Sequence, residues 1–432
     1  MDYREAREYI YSLEGQGMVF GLDTMRALMQ ALGNPQEQLK FIHIAGTNGK
    51  GSVLAYLSTI LKEAGYRTGI YCSPALFSYE EKIQVNGKNI SKQMVAEGLT
   101  EIRNAIEELQ INPTVFEVET ALAFWFFERE ACEIVVLETG LGGDLDATNI
   151  VTTTICSVIT SISFDHKNIL GNTLKEIAEH KAGIIKKNTP VVMLKQSEEA
   201  ELVIKKRCEE LHCKLVEADG KDARILFATV RSQVIFYKKY EKLLTHLLGV
   251  FQADNIAVVI ETVEVLRNLG YFITDQQLRD GITNTRWRGR MERISSSPLI
   301  FMDGAHNPDG AYKLKKSLEQ YFAGDKYHLI IGVLMDKDYP AMLEILLPKA
   351  KDVITITPQG KRALPAQTLK EAVKNIMPLM NVKVASSLKE AWDMAVKKEG
   401  EITVICGSLS FLGELDRCIK EWKAEKKISS NS

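Results

Sequence analysis

Gly46-Thr47-Asn48-Gly49-Lys50-Gly51-Ser52 stands between an apolar run, LKFIHIA, and a helical pattern from about Gly51 to Ala64. A glycine-rich turn that closes a buried strand and opens a helix belongs to an open α/β sheet. There, ligands bind beyond the carboxyl ends of the strands. The glycines let backbone N–H groups converge on phosphate oxygens, and the helix N-terminus adds its dipole. Lys50 would neutralise β- and γ-phosphates, and Ser52 would reach a phosphate or a metal. The spelling departs from the common P-loop pattern: no glycine stands four positions before Gly49-Lys50, and Gly51 separates Lys50 from Ser52. The alternative is a glycine-rich turn with no ligand, and strand before, lysine inside and helix after weigh against it.

The same alternation continues on both sides of this loop. TGIYC, EIVVLE and ICSVITSIS are apolar runs of strand length, with helical patterns such as TALAFWFFERE and TLKEIAEHKAGII between and after them. RILFATVRSQVIFYKK alternates with period two and reads as an appended antiparallel hairpin. A helix from roughly Gln252 to Leu269 leads to TNTRWRGRMERISSSP, a basic and then Ser/Pro-rich stretch that reads as a domain boundary. A second alternation follows: PLIFMD, a helix from Pro308, YHLIIGVL, DVITIT, a helix from Ala366, KVAS and ITVICGS. The fold class expected is therefore α/β. A P-loop domain with a mostly parallel sheet spans 1–294, and a smaller Rossmann-like α/β domain spans 295–432. The tail KAEKKISSNS reads as a frayed end.

A chain of 432 residues, 45% apolar and 25% charged, suits a soluble two-domain enzyme. Its formal net charge of -2 gives no electrostatic reason for a nucleic-acid or anionic-membrane partner. Seven scattered cysteines without a C-x-x-C pair argue against a disulfide framework or a zinc site. The N-terminus MDYREAREYIYSLEG is amphipathic, with acidic residues and no signal-peptide core, and no later run is long enough to span a bilayer. A cytoplasmic protein is expected.

Other strand ends carry polar residues. Glu138 closes EIVVLE, Asp165-His166 follows VITSIS, and Asp303-Gly304-Ala305-His306-Asn307-Pro308 follows PLIFM. A carboxylate closing an apolar run is costly unless it is solvated, paired or metal-bound. Glu138, His166 and nucleotide oxygens would make a plausible Mg²⁺ site, since this ion keeps phosphates and waters. Taken singly, Glu138 also fits a helix cap, His166 a backbone hydrogen bond and Lys181 a solvated helix position.

HIAGTNGKGS (43–52), SP (73–74), FE (116–117), LETGLGG-x-LDATN (137–149) and DH (165–166) occur in that order along the chain. ILGNTLKEIA-x-x-KAGI (169–184), Q-x-x-N (252–255), GRME (289–292), DGAHNP (303–308) and DKD (336–338) follow. In these motifs the sequence resembles folylpolyglutamate synthases, within the wider family of Mur-type ligases. The resemblance implies an ATP- and Mg²⁺-dependent ligase that adds L-glutamate to a folate through an acyl phosphate. It implies ATP binding by Asn48, Gly49, Lys50, Gly51, Ser52, Asn255, Arg290 and Asp303, with His306 near the reacting phosphate. Metal ligands would be Ser73, Glu138, His166 and Lys181, the last as a carbamate. Phe116, Glu117, Leu145, Asp146 and Ala147 would line the pteroate pocket. Lys50, His306 and Lys181 are the residues implied for catalysis, and the partners implied are folate and glutamate, with a monomeric protein.

Five positions depart from the family pattern: Ala75, Lys82, Asp144, Phe251 and Arg288. Asp144, where arginine is common, would face an acceptor that is itself a carboxylate, or else solvent. On that ground a reduced folate such as tetrahydrofolate is the expected acceptor. The alternatives are a bifunctional enzyme that also glutamylates dihydropteroate, and a different Mur-type amide ligase.

Overall fold

The structure is a computed structural model that describes residues 1–13, 21–398 and 400–429. Two sheets carry the two halves of the chain. The first has eight strands, in the order 88–89, 83–85, 68–71, 134–138, 41–45, 154–159, 191–194 and 215–218. Six of these run parallel, and the short strands 83–85 and 88–89 add an antiparallel edge. Phe41–Ala45 lies at the centre, buried along its whole length. Its apolar, β-branched-rich sequence suits a strand covered on both faces.

The helix Lys50–Glu63 leaves this strand and is buried on almost every side. One face of the sheet is covered by that helix, by Gln252–Asn268 and by Asp275–Asn284. The other face is covered by Tyr3–Leu13, Lys92–Leu109 and Val115–Arg129. The last of these opens on a full capping box, Thr114 with Glu117, which fixes where it starts.

The second sheet has six strands, in the order 292–296, 299–302, 402–406, 327–331, 350–355 and 382–384. All pairs are parallel except the first. The fold is thus α/β with a mostly parallel first sheet and a smaller α/β second unit.

Three expectations need correction. The period-two stretch is not a hairpin alone: Tyr240–Thr245 pairs with Gln233–Tyr237 and makes a three-stranded antiparallel sheet. The boundary expected between 294 and 295 runs through a strand of the second sheet, because Glu292–Ser296 pairs with Leu299–Met302. Its serines read as linker but satisfy their backbone in that ladder. The tail is helical, in Leu412–Ser429, and residues 430–432 lie outside the described residues, as do Glu14 and Gly15 of the amphipathic N-terminus.

Candidate active site between the two sheets

The loop after Phe41–Ala45 sits between the ends of its two neighbours, Ile134–Glu138 and Thr154–Ile159. Gly49 adopts φ +94°, and a Cβ there would lie 2.6 Å from Asn255 Oδ1. Only glycine fits a left-handed position that close to a side chain. A Cβ on Gly46 would lie 1.8 Å from Thr160 Oγ1, so this end of the loop is pressed onto the neighbouring strand.

Lys50 Nζ donates to Gly46 O at 3.1 Å and lies 3.7 Å from Glu138 Oε1. Burial pushes the Glu138 carboxyl up, while Lys50, Arg290 and the Ser73 backbone N–H act in the opposite direction. Ser73, Lys50, Arg290 and Glu138 are therefore one electrostatic group. Ser52 accepts from Gln252 Nε2 at 3.4 Å, and Asn255 Nδ2 donates to Gln252 Oε1 at 2.9 Å. Asn48, Gly49, Ser52, Asn255, Arg290 and Asp303 all line one cavity between the sheets. Phe251 lines the same cavity.

The second half forms a roof. Asn307 caps the helix Pro308–Phe322, so that the positive end of this helix faces the loop. Asn48 Nδ2 donates to Asp309 Oδ2 at 2.7 Å and to Asn307 Oδ1 at 3.2 Å. Asp165 receives three second-half groups: Lys337 Nζ at 2.6 Å, Asn307 Nδ2 at 3.0 Å and His306 Nε2 at 3.3 Å. Burial alone would raise the Asp165 carboxyl; the His306 hydrogen bond and the Lys337 charge hold it well below the carboxylate range. His306 Nδ1 faces Gly304 O at 2.7 Å. Asp303 is fixed by Met291 N–H at 2.7 Å and Ala305 N–H at 2.8 Å.

His166 does not close a strand. That strand ends at Ile159, and the chain runs on beside the loop, through an Asn48–Ser161 bridge, before reaching Asp165. Burial and the nearby Lys337 push the His166 imidazole down to about 4, leaving a neutral ring whose Nε2 lies 3.3 Å from Lys337 Nζ. Lys181 is buried too, and burial with the charge of Lys50 pushes its amine down to about 7.

A magnesium ion fits this arrangement on its Glu138 side. The carboxylate is buried, and its ion-pair partner Lys50 stands off at 3.7 Å, beyond hydrogen-bond length. On the His166 side the acceptor nitrogen holds Lys337. Among the described residues no group of three or more His, Cys, Asp or Glu side chains is poised for a metal. The ion would therefore take most of its ligands from phosphates and water.

The residues expected to line the pteroate pocket are built differently. Phe116 packs on Tyr71 with ring centroids 5.9 Å apart and lies over Gly140, where a Cβ would meet it at 2.5 Å. The Glu117 carboxylate accepts from Thr114 N and Oγ1, so its oxygen serves the helix cap. Asp146 is buried and accepts from Leu141 N–H and Thr148 N–H, while Thr148 Oγ1 lies 2.9 Å from His43 Nε2. Ala147 is buried and Leu145 is exposed. Asp144 is partly exposed to solvent, and its Oδ1 lies 2.9 Å from His180 Nδ1. Lys82 donates to both oxygens of buried Glu119 at 2.7 Å.

The residue matches extend across both halves. Residues 44–263 match the Mur ligase middle domain, and residues 289–409 match the Mur ligase, glutamate ligase domain. The dihydrofolate synthase/folylpolyglutamate synthase of Bacillus subtilis is 35% identical over 97% of this chain and 99% of its own length. The chain belongs to the folylpolyglutamate synthase family of Mur ligases. A folylpolyglutamate synthase from Lacticaseibacillus casei is 35% identical over 84% of this chain and 88% of that one. The Mycobacterium tuberculosis folylpolyglutamate synthase, solved with ADP and AMPPCP, superposes with a TM-score of 0.87 at 29% identity, covering 97% and 99% of the two chains. This family is a family of ligases, and the chain is an ATP-dependent ligase of that kind.

Sequence reasoning quotes DKD (336–338) only as a motif and assigns no role to Lys337, to Asp309 or to Asn307. The DKD run follows the Tyr327–Ile331 strand much as DGAHNP follows Leu299–Met302. That parallel is the available signal for Lys337.

Proposed function

We propose that this chain joins L-glutamate to a reduced folate, tetrahydrofolate, through a γ-linked amide, with ATP giving ADP and phosphate. The observation that carries this reading is the closed pairing of a phosphate loop with a second-half roof. Lys50 and Glu138 lie beneath, and His306, Lys337 and Asn307 converge on Asp165 above.

A carboxylate is a poor acyl donor, so the acceptor's carboxylate oxygen attacks the γ-phosphorus and the bond to the β-phosphate oxygen breaks. Lys50, Arg290 and the loop N–H groups hold the charge that develops on the phosphoryl oxygens. The amine of glutamate then attacks the acyl carbonyl, loses its proton, and phosphate departs. His306 and Lys337, held on Asp165, would meet that phosphate. Glu138 and the Ser73 hydroxyl would hold Mg²⁺, joined by His166 once its Nε2 gives up the Lys337 contact, and the ion would supply charge neutralisation at the phosphates. Lys181, with an amine pulled down to about 7, is suited to carry a carbamate, because a neutral amine is the form that takes up CO₂. Asn255 and Asp303 would hold the nucleotide, and Phe116, Asp146 and Ala147 would shape the pteroate side. Closure of the two halves excludes water that would hydrolyse the acyl phosphate.

A second reading has its own support. The Asp144 carboxylate is engaged by His180 at 2.9 Å rather than left for an acceptor, and the Bacillus relative is named for both activities. In that reading dihydropteroate also accepts glutamate.

All seven cysteines are free, which fits a reducing cytoplasm, and no helix among the described residues is long and apolar enough to cross a membrane. Because one chain supplies both halves of the site, a monomer suffices. ADP release measured with glutamate and either tetrahydrofolate or dihydropteroate tests the reading. Absence of turnover with both overturns it; similar kcat/KM for the two makes the enzyme bifunctional.

A further inference from the structure

Arg288 lies in the connector between the sheets, two residues before Arg290, and it touches three separate parts of the chain. Its Nε donates to Glu292 Oε1 at 3.0 Å, and its Nη1 donates to Asp416 Oδ1 at 2.8 Å on the last helix. Its guanidinium lies 3.9 Å above the ring of Phe77. Phe77 belongs to the loop 73–82 of the first half. Leu76 and Phe77 pack against the second-half core that includes Leu412 and Leu415. A Cβ on Gly413 would lie 2.4 Å from Leu76 O, so the loop rests directly on the last helix.

This loop spans both sides of the site. At its start the Ser73 N–H bonds to Glu138, and at its end Lys82 pairs with Glu119. In its middle, Glu81 Oε1 accepts from the backbone N–H groups of Leu76 and Phe77. A planar guanidinium can use its edge for carboxylates and its face for an aromatic ring at the same time, which a lysine cannot.

We propose that Arg288 is a positioning residue that ties the loop 73–82 to the second half and so sets affinity for the acceptor. This rests on the ligase reading above. The nucleotide groups have their own ties. Gly289 O accepts from Gly304 and Met291 N–H bonds Asp303 without the Arg288 side chain, while Gly289 N–H bonds the second oxygen of the Glu292 carboxylate that Arg288 also holds.

The test compares Arg288→Ala, Phe77→Leu, Phe77→Tyr and the Arg288→Ala/Phe77→Leu double variant. Arg288→Ala and Phe77→Leu each raise the acceptor KM roughly fivefold, the loss of one cation–π contact with its anchoring pairs, while the KM for ATP and kcat stay within about twofold. Phe77→Tyr, which keeps the aromatic face, behaves as wild type, and the double variant is no worse than the worse single one. Hydrogen exchange gives a readout independent of turnover: the amides of Leu76 and Phe77 exchange faster in Arg288→Ala, while those of residues 46–52 do not. A parallel rise in the KM for ATP, equal damage from Tyr and Leu, additive losses or unchanged exchange at 76–77 overturns the proposal. Wild-type turnover in the same series judges the ligase reading separately.

Discussion

The nucleotide side of the cleft and the side proposed for the acceptor bury charge in different ways. On the nucleotide side, Lys50 and Glu138 face each other at 3.7 Å beside a cavity, a loose arrangement that leaves each free to take a ligand. On the acceptor side, Lys82 and Glu119 close on each other at 2.7 Å through both carboxylate oxygens, and the Glu119 side chain is only 5% exposed. A pair with spare valence is poised for chemistry, whereas a satisfied one holds structure. Losses on the nucleotide side should therefore appear in rate, and losses on the acceptor side in stability.

The largest effect expected is in Lys50→Ala. Turnover should fall by about 10³-fold, the scale for removing a preorganised transition-state charge, with the circular dichroism spectrum unchanged. Next come Glu138→Gln and His166→Asn, each raising the Mg²⁺ concentration needed for half-maximal rate, together less than additively because they share one ion. Fully additive losses would assign them to separate sites. Lys82→Ala should cost about 3 kcal/mol of stability in urea unfolding, since it strands a buried carboxylate, and Lys82→Arg should restore most of it. If Lys50→Ala loses as much stability as Lys82→Ala, the contrast between the two sides is broken.

A smaller effect is expected at His43, buried behind Asp146 and Thr148. Burial pushes its imidazole down to about 3. The unfolded chain takes up that proton below about 6.5 and the folded chain does not, so stability falls as pH drops from about 6.5 towards 3. His43→Asn should flatten the fall in that window; an unaltered slope would place its origin elsewhere. The smallest expected effect is in Asp144→Asn, under about threefold in kcat/KM for tetrahydrofolate, because that carboxylate is partly exposed and solvent screens its charge. A larger gain with dihydropteroate than with tetrahydrofolate would show that Asp144 discriminates between acceptors.

The two sides also differ in how much the sequence discloses. GTNGKGS, Glu138 and DGAHNP each follow an apolar strand, so the strand-end rule for open sheets points to them from the residues alone. The alternation of strands and helices in both halves is legible for the same reason. The acceptor side depends on partners far apart in the chain. Nothing local to Lys82 announces Glu119, and nothing local to Asp144 announces His180, thirty-six residues on. Asp165 reads as a strand end, yet it lies six residues past Ile159, after a stretch bridged to the phosphate loop at Asn48 that period alone cannot encode. The third strand of the small antiparallel sheet escapes the pattern because YEKLLT carries charges on its exposed face and lacks the apolar continuity of its neighbours. The Ser-rich connector misleads because small polar residues pair in an edge ladder as readily as they form a linker.

The roof contacts bear on how such a chain can be recombined. The polar ties over the phosphate loop each have one member in either half: Asn48 with Asp309, and Asp165 with Lys337, His306 and Asn307. Neither half carries a matched set alone. A chimera that took residues 1–291 from this chain and the remainder from a relative would inherit Asp165, buried and negative, and would need a cation delivered at the position of Lys337 to hold it. The halves are thus not interchangeable cassettes, and any graft between relatives has to move these contacts as linked pairs.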